Sequence, residues 1–187
     1  MRDRSTADQV LVLLSQSGIE LAAAAAIRAQ FVDFARAQLD CCERTCAPGH
    51  FTGSAWVVSA DGQRALLLHH RKLDRWLQPG GHADGDGDLA AVALREAEEE
   101  TGLRGLRVQP AVFDLDRHRI PARGTEPEHW HYDVRFVVHA GGDEAFVVSE
   151  ESHALAWRPI TDIAADPAMD ESVRRLARKF LNGAGSS

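Results

Sequence analysis

Cysteine is scarce in this chain, aromatic residues make up only 6 %, and neither a long apolar run nor a long basic run occurs in its 187 residues. Each shortage excludes something. No stretch approaches the ~20 apolar residues that a membrane helix needs, so no membrane partner is expected. The segment "MRDRSTADQV" carries no apolar core or cleavage site of an export signal, which points to a cytoplasmic protein. A net charge of −7 without a basic tract argues against bulk nucleic acid as a partner. A small phosphorylated molecule stays open, because a few local arginines and a metal ion are enough to hold it. Cys41, Cys42 and Cys46 crowd into "CCERTC". An odd count without an export signal reads as reduced thiols, with Cys46 and His50 as one metal-pair option.

What is present is ordinary in bulk, 44 % hydrophobic and 26 % charged, as expected for one domain with a full core. Residues 1–48 read as a helical extension. Thr6 and Gln9 have capping-box spacing ahead of "VLVLL", and Gly18 stops that segment. A longer alanine-rich helix follows, with Ile27, Phe31, Phe34 and Leu39 on its apolar side. Pro48-Gly49 then punctuates a change of texture.

Strands are expected from there. "SAWVVSA" and "RALLLHH" flank the turn pair Asp61-Gly62, and "RWLQPGG" leads into a glycine loop. A helix is predicted from about Asp88 to Thr101, capped by Asp88 and ended by Gly102. "LRVQPAVFDL", "HWHYDVRFVVHA" and "FVVSEESHALAWRPI" supply further strands. Asp170 opens a last helix with Val173, Leu176, Ala177 and Phe180 inward. The mixture predicts an α/β sandwich with a mixed sheet over residues 49–181 and a frayed tail at 182–187.

The chemistry concentrates in "LREAEEETG". At about 100° per residue, Leu89, Val92, Ala93, Glu96, Glu99, Glu100 and Leu103 fall on one stripe, with Glu98 off it toward solvent. Arg95 can pair with Glu99 at i,i+4 but cannot satisfy three acids. Oxygen-only ligands gathered on one helix suit a hard cation, Mg²⁺ or Mn²⁺.

The stretch "GGHADGDGDLAAVALREAEEETGL" resembles the Nudix hydrolase box: Gly, five residues, Glu, seven residues, Arg-Glu, an aliphatic, one residue, Glu-Glu, one residue, Gly, an aliphatic. Gly81, Arg95-Glu96, Glu99-Glu100, Gly102 and Leu103 fit it, and the resemblance covers about residues 49–180. It implies a Nudix-type α/β/α sandwich and a metal-dependent hydrolase. Such an enzyme cleaves a diphosphate bond in a nucleoside diphosphate linked to another group. It further implies that Glu96, Glu99 and Glu100, with Gly81, hold Mg²⁺ or Mn²⁺, and that Arg95 braces the helix. Glu100, Glu150 or Glu151 would then serve as general base. Two positions depart from the pattern: the first glutamate falls at Gly87, between Asp86 and Asp88, and the internal aliphatic is only Ala97.

"EHWHYDVRF" alternates, with His129, His131, Asp133 and Arg135 on one face and Trp130, Tyr132, Val134 and Phe136 on the other. Together with His50 and His82 this is similar to isopentenyl diphosphate isomerase, a non-hydrolytic Nudix relative. That resemblance implies a second metal site at His50, His82, His131 and Asp133. The isomerase's catalytic cysteine falls at Gly80, which has no thiol. Arg117, His118, Arg119 and Arg123, in a stretch read as a loop, are candidates for substrate phosphates, and Trp76 for a nucleobase. Three functions follow for comparison: a hydrolase, an isomerase-like enzyme, and a ligand-sensing Nudix domain without catalysis. Monomer and homodimer are both compatible with the sequence.

Overall fold

The computed structural model describes residues 4–16, 22–150 and 152–184. Its elements run in the order α1 (Arg4–Gln16), α2 (Ala22–Ala37), β1 (Gly49–Val58), β2 (Arg64–His70), β3 (Arg75–Leu77), β4 (Gly80–His82), α3 (Leu89–Thr101), β5 (Arg107–Val108), β6 (Asp114–Ile120), β7 (His129–His139), β8 (Ser152–Pro159), α4 (Ile160–Ala165) and α5 (Glu171–Ala184). The strands form a mixed sheet accompanied by helices, an α/β fold. Antiparallel pairs include β1 with β4, β6 with β7 and β2 with β8. Strands β1 and β7 run parallel: Trp130 N donates to Pro48 O and Ala140 N to Val58 O, at the same sequence offset.

The chain forms two compact units, with β1, α3 and β7 each contributing to both. In the first (Met1–Ser54, Gly80–Ala93 and Gln109–Phe136), α2 docks through aromatic residues. The Phe34 and Tyr132 rings stack with centroids 3.9 Å apart, and Phe31 meets Tyr132 edge-on at 5.2 Å. Phe31 also packs edge-on against Phe51. Such contacts add about 0.5–1.5 kcal/mol per pair beyond the burial itself. Alternation along β7 makes this possible, because it turns Tyr132 toward α2 and His131 and Asp133 the other way. Leu39, expected on the apolar side of α2, is exposed, because the helix ends at Ala37 and the chain enters a series of turns. Helix α1 begins at Arg4, so Thr6 lies inside it and does not cap it. The stop expected at Gly18 lies outside the described residues.

The polar face of β7 is tied down around Asp133. Its Oδ1 accepts hydrogen bonds from Thr52 Oγ1 (2.9 Å) and Ser54 Oγ (2.8 Å), and its Oδ2 accepts from Arg135 Nε (2.7 Å). Arg135 also pairs with Asp116 at 3.1 Å and Asp114 at 3.8 Å. Asp133 and Arg135 are each 2 % exposed, so the contact between them operates away from water, where an unmatched charge is costly.

In the second unit, β2 is central between β3 and β8. Val58 pairs with Ala65 across the turn that holds Asp61-Gly62. Trp56, Leu66–Leu68, Ile160, Ile163, Val173 and Leu176 are buried. Asp170 caps α5, its Oδ1 accepting from Ser172 N at 2.9 Å. Two expected strands are shorter than their patterns. Pro110 lies in the break between β5 and β6, where a missing N–H cannot join a ladder. Residues 145–149 lack strand structure; Val147 N donates instead to Thr101 O at 2.7 Å. The tail expected to fray from residue 182 remains helical through Ala184.

Gly87, the departure from the box pattern, lies beneath α1. A Cβ there would stand 2.8 Å from Thr6 O and would also strike the Gln9 carboxamide. The backbone carbonyl cannot swing aside as a side chain would. The place of a glutamate side chain is therefore filled by the N-terminal helix. Gly87→Ala should cost about 1–3 kcal/mol by overpacking, read as a lowered urea midpoint, and the loss should shrink in a chain lacking residues 1–16. Asp133→Ala should cost on the order of 3 kcal/mol, since it strands part of the Arg135 charge. Thr52→Val, which removes one of two hydroxyl donors, should cost about 1 kcal/mol in the same denaturation assay.

Candidate functional site

Both ends of α3 follow from its sequence. Asp88 Oδ1 accepts from Ala91 N at 3.0 Å, and Asp88 N donates to Asp86 Oδ1 at 2.9 Å. The two aspartates flanking Gly87 thus build the turn that starts the helix. At the other end Gly102 adopts φ +70° and its N–H donates to Glu98 O at 2.9 Å, a left-handed ending that suits glycine.

The faces of the helix differ from the wheel expectation. Leu89, Val92, Ala93, Ala97, Thr101 and Leu103 are buried. The apolar stripe continues through the small Ala97 and through Thr101, whose hydroxyl donates to Ala97 O at 2.5 Å. Glu96 and Glu100, one turn apart, are half-buried on its flank. Glu99, expected on the stripe, is exposed, and Glu98, expected in solvent, is half-buried.

The charges are nonetheless poorly compensated by the helix. Its last turn contains no basic residue, so Glu98, Glu99 and Glu100 sit at the negative end of the macrodipole, where cations are favoured and anions are not. Arg95 pairs with Glu96 at 3.2 Å, one guanidinium among four carboxylates. An all-oxygen set of this kind fits a hard divalent ion that keeps some of its waters. Of the two further acids named as bases, Glu150 is exposed in a turn, and Glu151 lies outside the described residues. Gly81 pairs with Gly53 in the β1–β4 ladder.

A second constellation stands in the first unit. His50 comes from β1, His82 from β4, His118 from β6, and His129 and His131 from β7. The His50 ring lies 4.9 Å from those of His82 and His129 and 4.8 Å from His131, centroid to centroid. His118 is 5.3 Å from His131. One ring nitrogen each from His50, His82 and His131 lie within 4.8 Å of one another, the group of potential metal ligands that converges among the described residues. Burial, with neighbouring imidazoles, holds His50 down to about 4 and His131 down to about 2, and burial with Arg44 lowers His82. These rings are therefore neutral at pH 7, the form that offers a lone pair.

Asp133 is not part of that group, for its oxygens are already occupied by Thr52, Ser54 and Arg135. Conversely, His118 and His129 join the cluster although neither was assigned to it from sequence. The signal was available in "DLDRHRI". This segment is strand rather than loop, and antiparallel pairing sets His118 opposite His131. The same alternation sends Arg117 to the other face. There its guanidinium lies 3.9 Å from the Trp130 ring centroid and donates to Gln30 at 3.0 Å. Arg119 pairs with Glu128, and Arg123 belongs to the following turn. Trp76, half-buried, stacks with His69 and lies under Arg158.

A NUDIX domain family model matches residues 50–180. A candidate 8-oxo-dGTP diphosphatase of Mycobacterium tuberculosis is 31 % identical over 124 residues, covering 62 % of this chain and 55 % of the relative. The chain thus spans about half the length of that curated relative. Among solved structures, the Caenorhabditis elegans Ap4A hydrolase in a binary complex superposes with a TM-score of 0.58 at 18 % identity, covering 73 % of this chain and 98 % of that one. The Escherichia coli dihydroneopterin triphosphate pyrophosphohydrolase gives 0.58 at 18 %, covering 71 % and 95 %. At these identities the structural likenesses speak to the fold. With the family match spanning most of the sequence and the glutamate-bearing helix in place, the chain belongs to the NUDIX domain family.

Proposed function

We propose that this protein is a divalent-metal-dependent hydrolase of a diphosphate bond in a small molecule, a nucleoside diphosphate linked to another group. The observation that carries this reading is the acidic end of α3. Glu96 and Glu100 are half-buried and Glu98, Glu99 and Glu100 stand at the negative helix terminus without a base in the last turn. That arrangement is unfavourable alone and favourable around a cation. The family membership supports the reaction class, and the name of the curated relative, a candidate 8-oxo-dGTP diphosphatase, points to a nucleotide phosphate.

Glu96, Glu99 and Glu100 would hold Mg²⁺ or Mn²⁺, which when bound neutralises phosphate charge and acidifies water. The residues of the chain then have separable tasks. Asp86 and Asp88 fix the start of α3. Arg95 restrains the Glu96 carboxylate. A carboxylate takes the proton as water oxygen bonds to phosphorus and the bridging P–O bond breaks, the displaced phosphate leaving with the electron pair. Glu100 is our assignment for this base, since it is half-buried one turn from Glu96, with Glu150 and Glu151 the alternatives.

The isomerase-like reading gains no support. A side chain at Gly80 would stand 2.9 Å from both Cα and Cβ of Ser54, so the position has no room for a thiol. A purely ligand-sensing domain does not need carboxylates gathered at the negative end of α3.

A set of diphosphate-linked nucleotides, incubated with Mg²⁺ or Mn²⁺ and followed by mass spectrometry, should reveal hydrolysis of at least one. Glu99→Gln and Glu100→Gln should each lower kcat on it by about 100-fold or more while circular dichroism stays unchanged. Full turnover in both variants would remove the metal and base roles.

A further inference from the structure

The histidine cluster is unused by the proposed hydrolysis, and nothing in that reaction requires it. We propose that His50, His82 and His131, with His129 as fourth donor, form a metal centre for a borderline divalent ion of the Zn²⁺ class, chemically distinct from the carboxylate helix.

Three observations converge on it. His50 is 1 % exposed, and neither of its ring nitrogens has a hydrogen-bond partner among the described residues. Leaving such groups unmatched costs about 1–3 kcal/mol each, and coordination of one nitrogen removes part of that penalty. Next, the donor nitrogens converge, one pair of them already at the spacing a tetrahedral ion requires. Ligands at Zn–N distances of 2.0–2.1 Å stand about 3.4 Å apart. His129 Nε2 and His131 Nε2 are 3.3 Å apart, and the His50, His82 and His131 nitrogens lie within 4.8 Å. Loading the site draws those nitrogens together by up to about 1.4 Å.

The third observation is the outer layer. His129 Nδ1 lies 2.9 Å from Pro127 O. A carbonyl only accepts, so Nδ1 carries the proton and Nε2 presents its lone pair toward His131. Backbone carbonyls and carboxylates on the far nitrogen are how metal-binding histidines are usually fixed. An all-imidazole set selects Zn²⁺, Co²⁺, Ni²⁺ or Cu²⁺ over Mg²⁺. Because the donors come from β1, β4 and β7, an ion bound there ties three strands together and stabilises the folded state.

The test is direct binding to the tag-free 187-residue chain after chelation. Calorimetric titration with Zn²⁺, and Co²⁺ absorption as a geometric probe, should show about one site per chain with a tetrahedral-type visible spectrum. Thermal midpoint should rise on loading. The site should persist in the Glu96→Gln/Glu99→Gln/Glu100→Gln variant, which abolishes the proposed hydrolysis, so the two readings fail independently. His50→Gln and His131→Gln should each weaken binding by about 100-fold or more. If either fails to fold, His82→Gln, at a half-buried position, decides. Absence of a stoichiometric site in the wild type, loss of binding in the glutamate variant, or wild-type affinity in the folded histidine variants would overturn the proposal.

Discussion

Strand β7 has to bury a polar face and an aromatic face at once, and the first unit is organised by that demand. Two-residue alternation leaves no other choice for "HWHYDVRF". Tyr132 is covered by Phe34 and Phe31 of α2. On the opposite face Arg135 Nε donates to Asp133, Thr52 and Ser54 donate to the same carboxylate, and Asp114 and Asp116 face the guanidinium. A buried ion pair is weak evidence of stability by itself, because desolvation offsets the attraction. Its effect here is to specify register. A slip of one residue would set the carboxylate against phenyl rings and Tyr132 among the aspartates. The histidines two and four residues before Asp133 are placed by the same restriction.

Helix α3 faces a different constraint. It must present carboxylates without losing its packing, and it does so by burying small residues between them. Ala97 and Thr101 keep the buried seam continuous while Glu96 and Glu100 emerge at its edge. This is why Ala97, an undersized aliphatic by the family pattern, is not a defect. A larger side chain is not needed where Thr101 can turn its hydroxyl back onto the helix.

Much of this was legible in the sequence, and what was not has identifiable causes. The box spacing, the Asp88 cap and the Gly102 ending depend on contacts within a few residues, and local patterns report those well. The faces of β7 follow from strict alternation. The exchange between Glu98 and Glu99 was not readable, because a helical wheel gives angles about an axis but not the width of the groove the helix enters. Nor was the engagement of Asp133, which depends on Thr52 and Ser54, far away in the chain. The arginines of "DRHRI" were misplaced because charge was read as loop; the pairing of β6 with β7 separates Arg117 from His118 onto opposite faces.

The last departure, Gly87, ties the extension to the box. Read alone, the glycine is a lost carboxylate, and a loosened metal site would follow. In the fold it is a contact surface. Thr6 and Gln9 of α1 close over it so tightly that no Cβ fits, while Arg28 of α2 donates to Leu14 O at 2.7 Å and holds α1 against its neighbour. The loop that leads into α3 is thus supported from outside by the N-terminal helices, rather than from within by a glutamate. A glycine and an added helix are complementary here. Restoring the glutamate would displace α1, and removing α1 would take away the Thr6 and Gln9 contacts that close over the glycine. The box and the extension are therefore one structural solution, and the loop geometry ahead of Glu96 depends on both.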